Sequence, residues 1–190
     1  MNSKIRIIGG TLRSRLITVP DEIVRPTPNR IRETLFNWLQ TDISGAQCLD
    51  LFAGSGALGF EAISRGAQHV TFIEKDTHII RNLKQNSENL KITNASFAKT
   101  DALTWLKKTE GETFDIIFLD PPYAENLIKP CLELLVSQQL LSPNAKIYIE
   151  HNQPLTNIIF PESLELIQNK KAGQVYYGLL IISSAIPAKQ

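Results

Sequence analysis

Residues 48–62 read CLDLFAGSGALGFEA, and the fold turns on how they are read. The apolar run CLDLF, positions 48–52, has the make-up of a buried strand. It passes directly into Gly54-Ser55-Gly56-Ala57-Leu58-Gly59 and then into a helix predicted over about 57–64. A GxGxxG between strand and helix is the setting in which glycines let a backbone turn sharply and approach a ligand closely. Strands and helices alternate downstream: HVTFIEK (69–75), a helix over 78–90, a weak strand over 95–100 and a short helix over 102–108. FDIIFLD (114–120), a helix near 127–138 and AKIYIE (145–150) follow. Alternation of this kind predicts a Rossmann-like α/β fold, a mostly parallel sheet covered on both faces. SLELIQNK (163–170) and VYYGLLIIS (175–183), joined by a short Gly-containing turn, predict an antiparallel hairpin at one edge and bring the sheet to seven strands.

Upstream of this core, KIRIIGG and RLITVP surround a polar turn at 11–14 and predict a β-hairpin. A helix follows, with Thr27 placed to cap it and Pro28 at its first position, where a missing N–H costs nothing. Ile31, Leu35, Trp38 and Leu39 share one face of that helix. The 190 residues suit one domain: a basic hairpin extension over 1–26, a leading helix over 27–41 and a core over 46–185. The net charge of +1 hides an asymmetry. Residues 1–40 carry seven basic side chains (Lys4, Arg6, Arg13, Arg15, Arg25, Arg30, Arg32) against three acidic ones, a net of +4, so the other 150 residues sum to −3. A basic end on a mildly acidic body fits either a solvated surface or a polyanionic partner, nucleic acid first.

Apolar residues at 43% and charged residues at 21% exclude disordered, collagen-like and coiled-coil classes. No apolar run is long enough to span a bilayer, and MNSKIRIIGG has no signal-peptide character, so a cytoplasmic protein is expected. Cys48 and Cys131 lie in apolar runs without a CxxC, which predicts buried free thiols and no metal site. His69, His78 and His151 fall in no ligand-like cluster and are expected at surface or helix-end positions. A monomer is the default expectation.

Ligands of open α/β sheets bind at the carboxyl ends of the strands, and four predicted strand ends carry notable residues. At the first, Asp50 precedes the glycine loop. A carboxylate there repels a pyrophosphate and suits a cationic ligand such as S-adenosylmethionine, or else caps the loop through backbone N–H groups. At the second, Glu74 can accept from both hydroxyls of a ribose, with Asp76 a rival or a helix cap. At the third, Asp101 can accept from an adenine amino group, cap the next helix, or do both. The fourth, Asp120-Pro121-Pro122-Tyr123, is the most specific. Two prolines remove two N–H donors, so the loop offers only acceptors, beside a carboxylate and an aromatic face. Acceptors with a stacking platform fit a planar group bearing an NH₂, such as a nucleobase. Phe52 and Ser55, Lys75 after Glu74, and Ala102 after Asp101 complete the candidate cofactor contacts, with Thr27 and Arg30 closing over them. Arg6, Arg13, Arg15, Arg25 and Arg32 are the candidate RNA contacts.

DLFAGSGALGFEA together with DPPY resembles the class I S-adenosylmethionine-dependent methyltransferases that modify amino groups of bases. RIIGGTLRSRLI, RPTPNRIRETLFNWL, CLDLFAGSGALGFEAISRGA, FIEKD, FLDPPY and AGQVYYGLL are similar, from Arg6 to about Ile182, to the bacterial 16S ribosomal RNA guanine-N2 methyltransferase family. One departure is Asn29, where that family commonly has Asp. The resemblance implies S-adenosylmethionine as cofactor and a guanine of 16S rRNA, presented on the small ribosomal subunit, as substrate. The residues by themselves reach only methylation of an exocyclic amine. They leave open an adenine-N6 methyltransferase of DNA or RNA, an NAD-binding oxidoreductase and a non-catalytic RNA-binding module. At 190 residues there is no space for the target-recognition domain that DNA methylases usually carry.

Overall fold

Short Ile/Val-rich segments at the amino end form the expected hairpin, β1 (Ser3–Arg6) and β2 (Leu16–Val19), antiparallel with Ile5 opposite Ile17. This is a computed structural model describing residues 3–20, 27–123 and 126–183; Arg25 lies outside them. The leading helix α1 spans Asn29–Trp38. Its start differs from expectation. Pro28 takes the capping position, and its carbonyl accepts from Ile31 N and Arg32 N at 3.0 and 3.1 Å. Thr27 makes no capping bond and is buried; its hydroxyl serves another partner, described below.

The core alternates as its hydrophobic pattern dictates. β3 (Gln47–Asp50), α2 (Ala57–Ser64), β4 (His69–Glu74), α3 (Thr77–Leu90), β5 (Ala95–Lys99), α4 (Ala102–Lys108), β6 (Phe114–Leu119), α5 (Ile128–Ser137) and β7 (Leu141–His151) follow in turn. β8 (Leu164–Ala172) and β9 (Val175–Ile182) close the chain. The sheet order is β5-β4-β3-β6-β7-β9-β8, with β3 to β7 parallel and β9 antiparallel to both its neighbours. β3 pairs with β4 on one side and β6 on the other, so the chain changes direction of winding at β3. A crevice opens at such a switch point, outside the strands' carboxyl ends.

Two apolar layers cover the sheet. On one side α1, α2, α3 and the hairpin bury Leu35, Phe36, Phe60 and Leu83 against Cys48, Phe72 and Phe118. Phe72 lies between Phe60 and Phe97, with ring centroids 5.1 Å from each. On the other side α4 and α5 bury Leu106, Leu132 and Leu135 against Leu49, Ile117 and Ile147. Both cysteines are buried free thiols. No helix among the described residues is long and apolar enough to cross a membrane.

The hairpin is fastened to α2 and α3 by side chains and by one backbone bond, from Thr11 N to Ser64 O at 2.7 Å, rather than by sheet pairing. Asn86 brackets β2, accepting from Thr18 N at 3.0 Å and donating to Thr18 O at 2.8 Å. Ser64 accepts from Leu12 N and donates to Gly9 O. Gly10, at φ 75°, lies so close to α2 that a Cβ there would stand 1.8 Å from Ser64 O. Only glycine fits that approach.

Candidate active site

Asp50 ends β3 with 3% of its surface exposed. Its Oδ2 accepts from Gly59 N at 3.2 Å, so the backbone-capping role is present. Burial, only partly offset by that bond and reinforced by Glu74, pushes its carboxyl up to about 7. Gly59 is required by packing: a Cβ there would meet the Phe72 ring at 2.2 Å and Asp50 Oδ2 at 3.1 Å. Ser55 is buried, its hydroxyl accepting from Ala57 N, and Phe52 packs on the α4–α5 layer.

Glu74 ties the loop to the end of β4. Its Oε2 accepts from Gly54 N at 3.1 Å and its Oε1 from Asp76 N at 2.9 Å. Each carboxylate oxygen keeps a further lone pair for an incoming hydroxyl. Asp76 resolves as the cap of α3, accepting from His78 N and Ile79 N, and those bonds hold its carboxyl below the ordinary range. Asp101 caps α4 through Thr104 N at 2.9 Å and stays exposed, open to a second partner. Ala102 behind it is buried, and Lys75 and Arg30 are exposed.

Beyond β6 the chain builds an acidic corner. Asp120 is held well above the ordinary carboxylate value by burial first, then by Glu150 and Asp50; a hydrogen bond from Thr27 opposes them. Pro121 is buried, Pro122 exposed and Tyr123 half-buried. Tyr123 Oη donates to Glu150 Oε1 at 3.2 Å, and Tyr148 Oη donates to Glu150 Oε2 at 2.6 Å. Burial also lifts the Glu150 carboxyl, against those two bonds. Glu150 was not among the expected site residues. It is the acidic end of a parallel strand, the same signal that marked Glu74 and Asp120. His151 also belongs to this corner, contrary to expectation, with its ring 5.7 Å from Tyr123 at 63°. A cleft of about 270 Å³ opens here, between the Pro121–Tyr123 wall and the 151–159 segment. A larger groove of about 590 Å³, lined by Gln47, His69 and Phe114, lies at the opposite, amino ends of the strands.

The expected RNA contacts divide. Arg6, Arg13 and Arg15 are exposed on the hairpin. Arg32 is a correction: it is fully buried and unavailable to RNA. Its Nη2 donates to Arg6 O at 2.9 Å and Asn29 Oδ1 at 2.7 Å, and its Nη1 lies 3.5 Å from Glu61 Oε2. Burial lowers its guanidinium from the ordinary value, with Glu61 opposing. Asn29 therefore keeps the contact that an Asp at its position would make. Glu61 itself accepts from Ile8 N and Gly9 N at 2.8 Å each and from Arg65 Nε at 2.8 Å.

The arrangement offers acceptors and negative charge at one sheet end, suited to a cation and an amine. Residues 5–181 match the family described as conserved hypothetical protein 95. The chain is 44% identical over 186 residues to ribosomal RNA small subunit methyltransferase D of Buchnera aphidicola, covering 96% of each. It is 43% identical over 179 residues to the Escherichia coli protein of that name, covering 94% of this chain and 90% of the relative. The solved structure of yhhF from Escherichia coli superposes with a TM-score of 0.86 at 42% identity, over 95% of this chain and 98% of that one.

Proposed function

The chain belongs to the conserved hypothetical protein 95 family, and from that premise we propose that it transfers a methyl group from S-adenosylmethionine to the exocyclic N2 amine of a specific guanine in 16S rRNA of the small ribosomal subunit. The observation that carries the reading is the corner at Asp120–Tyr123: a carboxylate and a loop whose two prolines carry no N–H, backed by Glu150 and Asp50, beside the glycine loop. The relatives' names, which specify small-subunit ribosomal RNA, weigh against the adenine-N6 alternative.

The residues present fit that cofactor. S-adenosylmethionine, when bound, supplies a methyl group on a positively charged sulfonium. Carboxylates raised by desolvation and by one another, as at buried Asp50 and half-buried Asp120, are stabilised in their charged form when a cation enters. Glu74 takes the ribose hydroxyls, Asp101 the adenine amine, and Asp50 the cationic end. Phe52, Gly54, Ser55, Gly56, Lys75 and Ala102 line the path, and Thr27 and Arg30 close it.

An aromatic exocyclic amine is a poor nucleophile because its lone pair is delocalised into the ring. Asp120 and the Pro121 carbonyl accept its two N–H bonds and turn the lone pair toward the methyl carbon. The flipped base lies on Tyr123, a contact worth about 1–3 kcal/mol. Transfer to N2 would leave the S–CH₃ bonding electrons on sulfur, and N2 would then shed one proton. Asp120 receives it. Burial beside Glu150 and Asp50 makes this carboxylate a stronger base than an ordinary one, and the neighbouring positive charge keeps it ionised beforehand. Alignment of this kind contributes roughly 7–11 kcal/mol. The donor is already activated, so the step requires no metal.

Arg6, Arg13 and Arg15, with Arg25, meet phosphates of the RNA, which positions it without reading sequence. The test is radiolabelled methyl transfer to small subunits from cells lacking the corresponding enzyme, followed by mapping of the labelled nucleotide. Label on N2 of one 16S guanine is the expected result. Label on an adenine, or no transfer, overturns the reading.

A further inference from the structure

Glu150 lies one residue before the end of β7 with 3% of its surface exposed, and each of its two carboxylate oxygens takes one phenol. Tyr148 stands two residues earlier on the same strand and therefore on the same face. It is fully buried, with its ring 6.5 Å from Tyr177, so it is a fixed point in the core. Tyr123 is the half-buried wall of the cleft. A chain of contacts thus runs from core to wall: Tyr148 phenol, Glu150 carboxylate, Tyr123 phenol. The Tyr123 ring also meets that of His151, with centroids 5.7 Å apart.

A carboxylate is an expensive way to fill such a position. Taking a charge out of water costs several kcal/mol, and a well-packed apolar side chain of the same volume stabilises a fold as well or better. Glu150 also faces Asp120, which adds to that cost. What the carboxylate does that an apolar residue cannot is fix the angle of a ring that projects into the cleft on a short loop. Misplacement of a positioning group by about 1 Å can cost on the order of a hundredfold in rate.

We propose that Glu150 is a positioning residue for methyl transfer, holding the Tyr123 ring at the angle that receives the target base by anchoring its hydroxyl to the buried Tyr148–Glu150 pair. This rests on the methyltransferase reading above.

The test compares wild type, Tyr123→Phe, Glu150→Ala, the double variant and Glu150→Gln, using S-adenosylmethionine and undermethylated small subunits. Tyr123→Phe and Glu150→Ala should each lower kcat by a similar factor, roughly ten- to a hundredfold. The double variant should be no worse than either one. Glu150→Gln keeps an acceptor oxygen for Tyr123 and should recover most of the loss. Calorimetry should show the S-adenosylmethionine Kd unchanged in Tyr123→Phe, which removes no charge. Wild-type turnover in Tyr123→Phe or Glu150→Ala, independent losses in the double variant, or no recovery with Gln would each overturn the proposal. If Glu150→Ala fails to fold, Tyr123→Phe and Glu150→Gln still decide: loss in the first with retention in the second supports the role, and the reverse sinks it. If wild type transfers no methyl group to the subunits, the functional reading has failed, and the role of Glu150 falls with it.

Discussion

Glu61 and Glu150 are both closed off from solvent, and their surroundings are opposite. Glu61 lies between Arg32 and Arg65 and accepts two backbone N–H bonds from the hairpin. Its charge is answered on the spot. Glu150 has two neutral phenols and faces another carboxylate. Its corner holds negative charge that stays costly until a cation or a proton arrives. One junction is built to remain as it is, and the other to receive something. A buried acid is informative about function only once its neighbours have been counted.

Variants at the two junctions should behave differently. The largest effect belongs to Asp120→Ala. It should lower kcat by about 10²–10⁴-fold, the range for loss of a proton-transfer group, while calorimetry still detects S-adenosylmethionine binding. Near-wild-type turnover would remove Asp120 from the chemistry. Next comes Glu61→Ala, which strands the buried Arg32. It should cost about 3–5 kcal/mol in denaturant unfolding, and a loss below 1 kcal/mol would mean that Glu61 does not hold the hairpin.

The acidic corner also makes sign-definite pH predictions. Asp120 must be ionised to accept a proton, and its value is raised. Activity should therefore fall as pH drops, beginning above the ordinary carboxylate range. Glu150→Gln removes one of the charges that raise Asp120, so the acidic limb of the kcat profile should move to lower pH. For stability, Asp50 is raised in the fold from 3.8 to about 7. The folded state binds the extra proton, so this contribution is fully present below 3.8 and is lost as pH rises through about 7. Asp50→Asn should flatten that decline in chemical-denaturation measurements of the cofactor-free protein. The smallest effects lie on the hairpin. Arg13→Ala and Arg15→Ala should each reduce the salt dependence of RNA binding by about one unit of slope.

The alternation of strands and helices, the edge hairpin and the acids at four strand ends could be read from local pattern. What could not be read was pairing across distance. Arg32 and Glu61 are 29 residues apart, and Glu61 meets Gly9 from 52 residues away. A basic residue in a basic segment looks like a surface contact until its partner is known. A local hint existed: Phe36 and Leu39 lie four and seven places after Arg32, on the same helical stripe, and all three are buried. Thr27 illustrates the reverse case. Its placement before a helix suggested a cap, yet its hydroxyl bonds to Asp120, and tertiary competition took it from the local role. Glu150 carried the same strand-end signal as Glu74 and could have been included on that ground.

Helix α2 begins at the glycine loop and ends against the hairpin, its eight residues spanning about 12 Å. The basic hairpin and the glycine loop are thus opposite ends of a single strut. An engineer who wished to retarget this scaffold by transplanting a different arm would have to redesign Glu61 and Ser64 with it. The attachment is written into the rod that carries the glycine loop, and the two cannot be treated as separate modules.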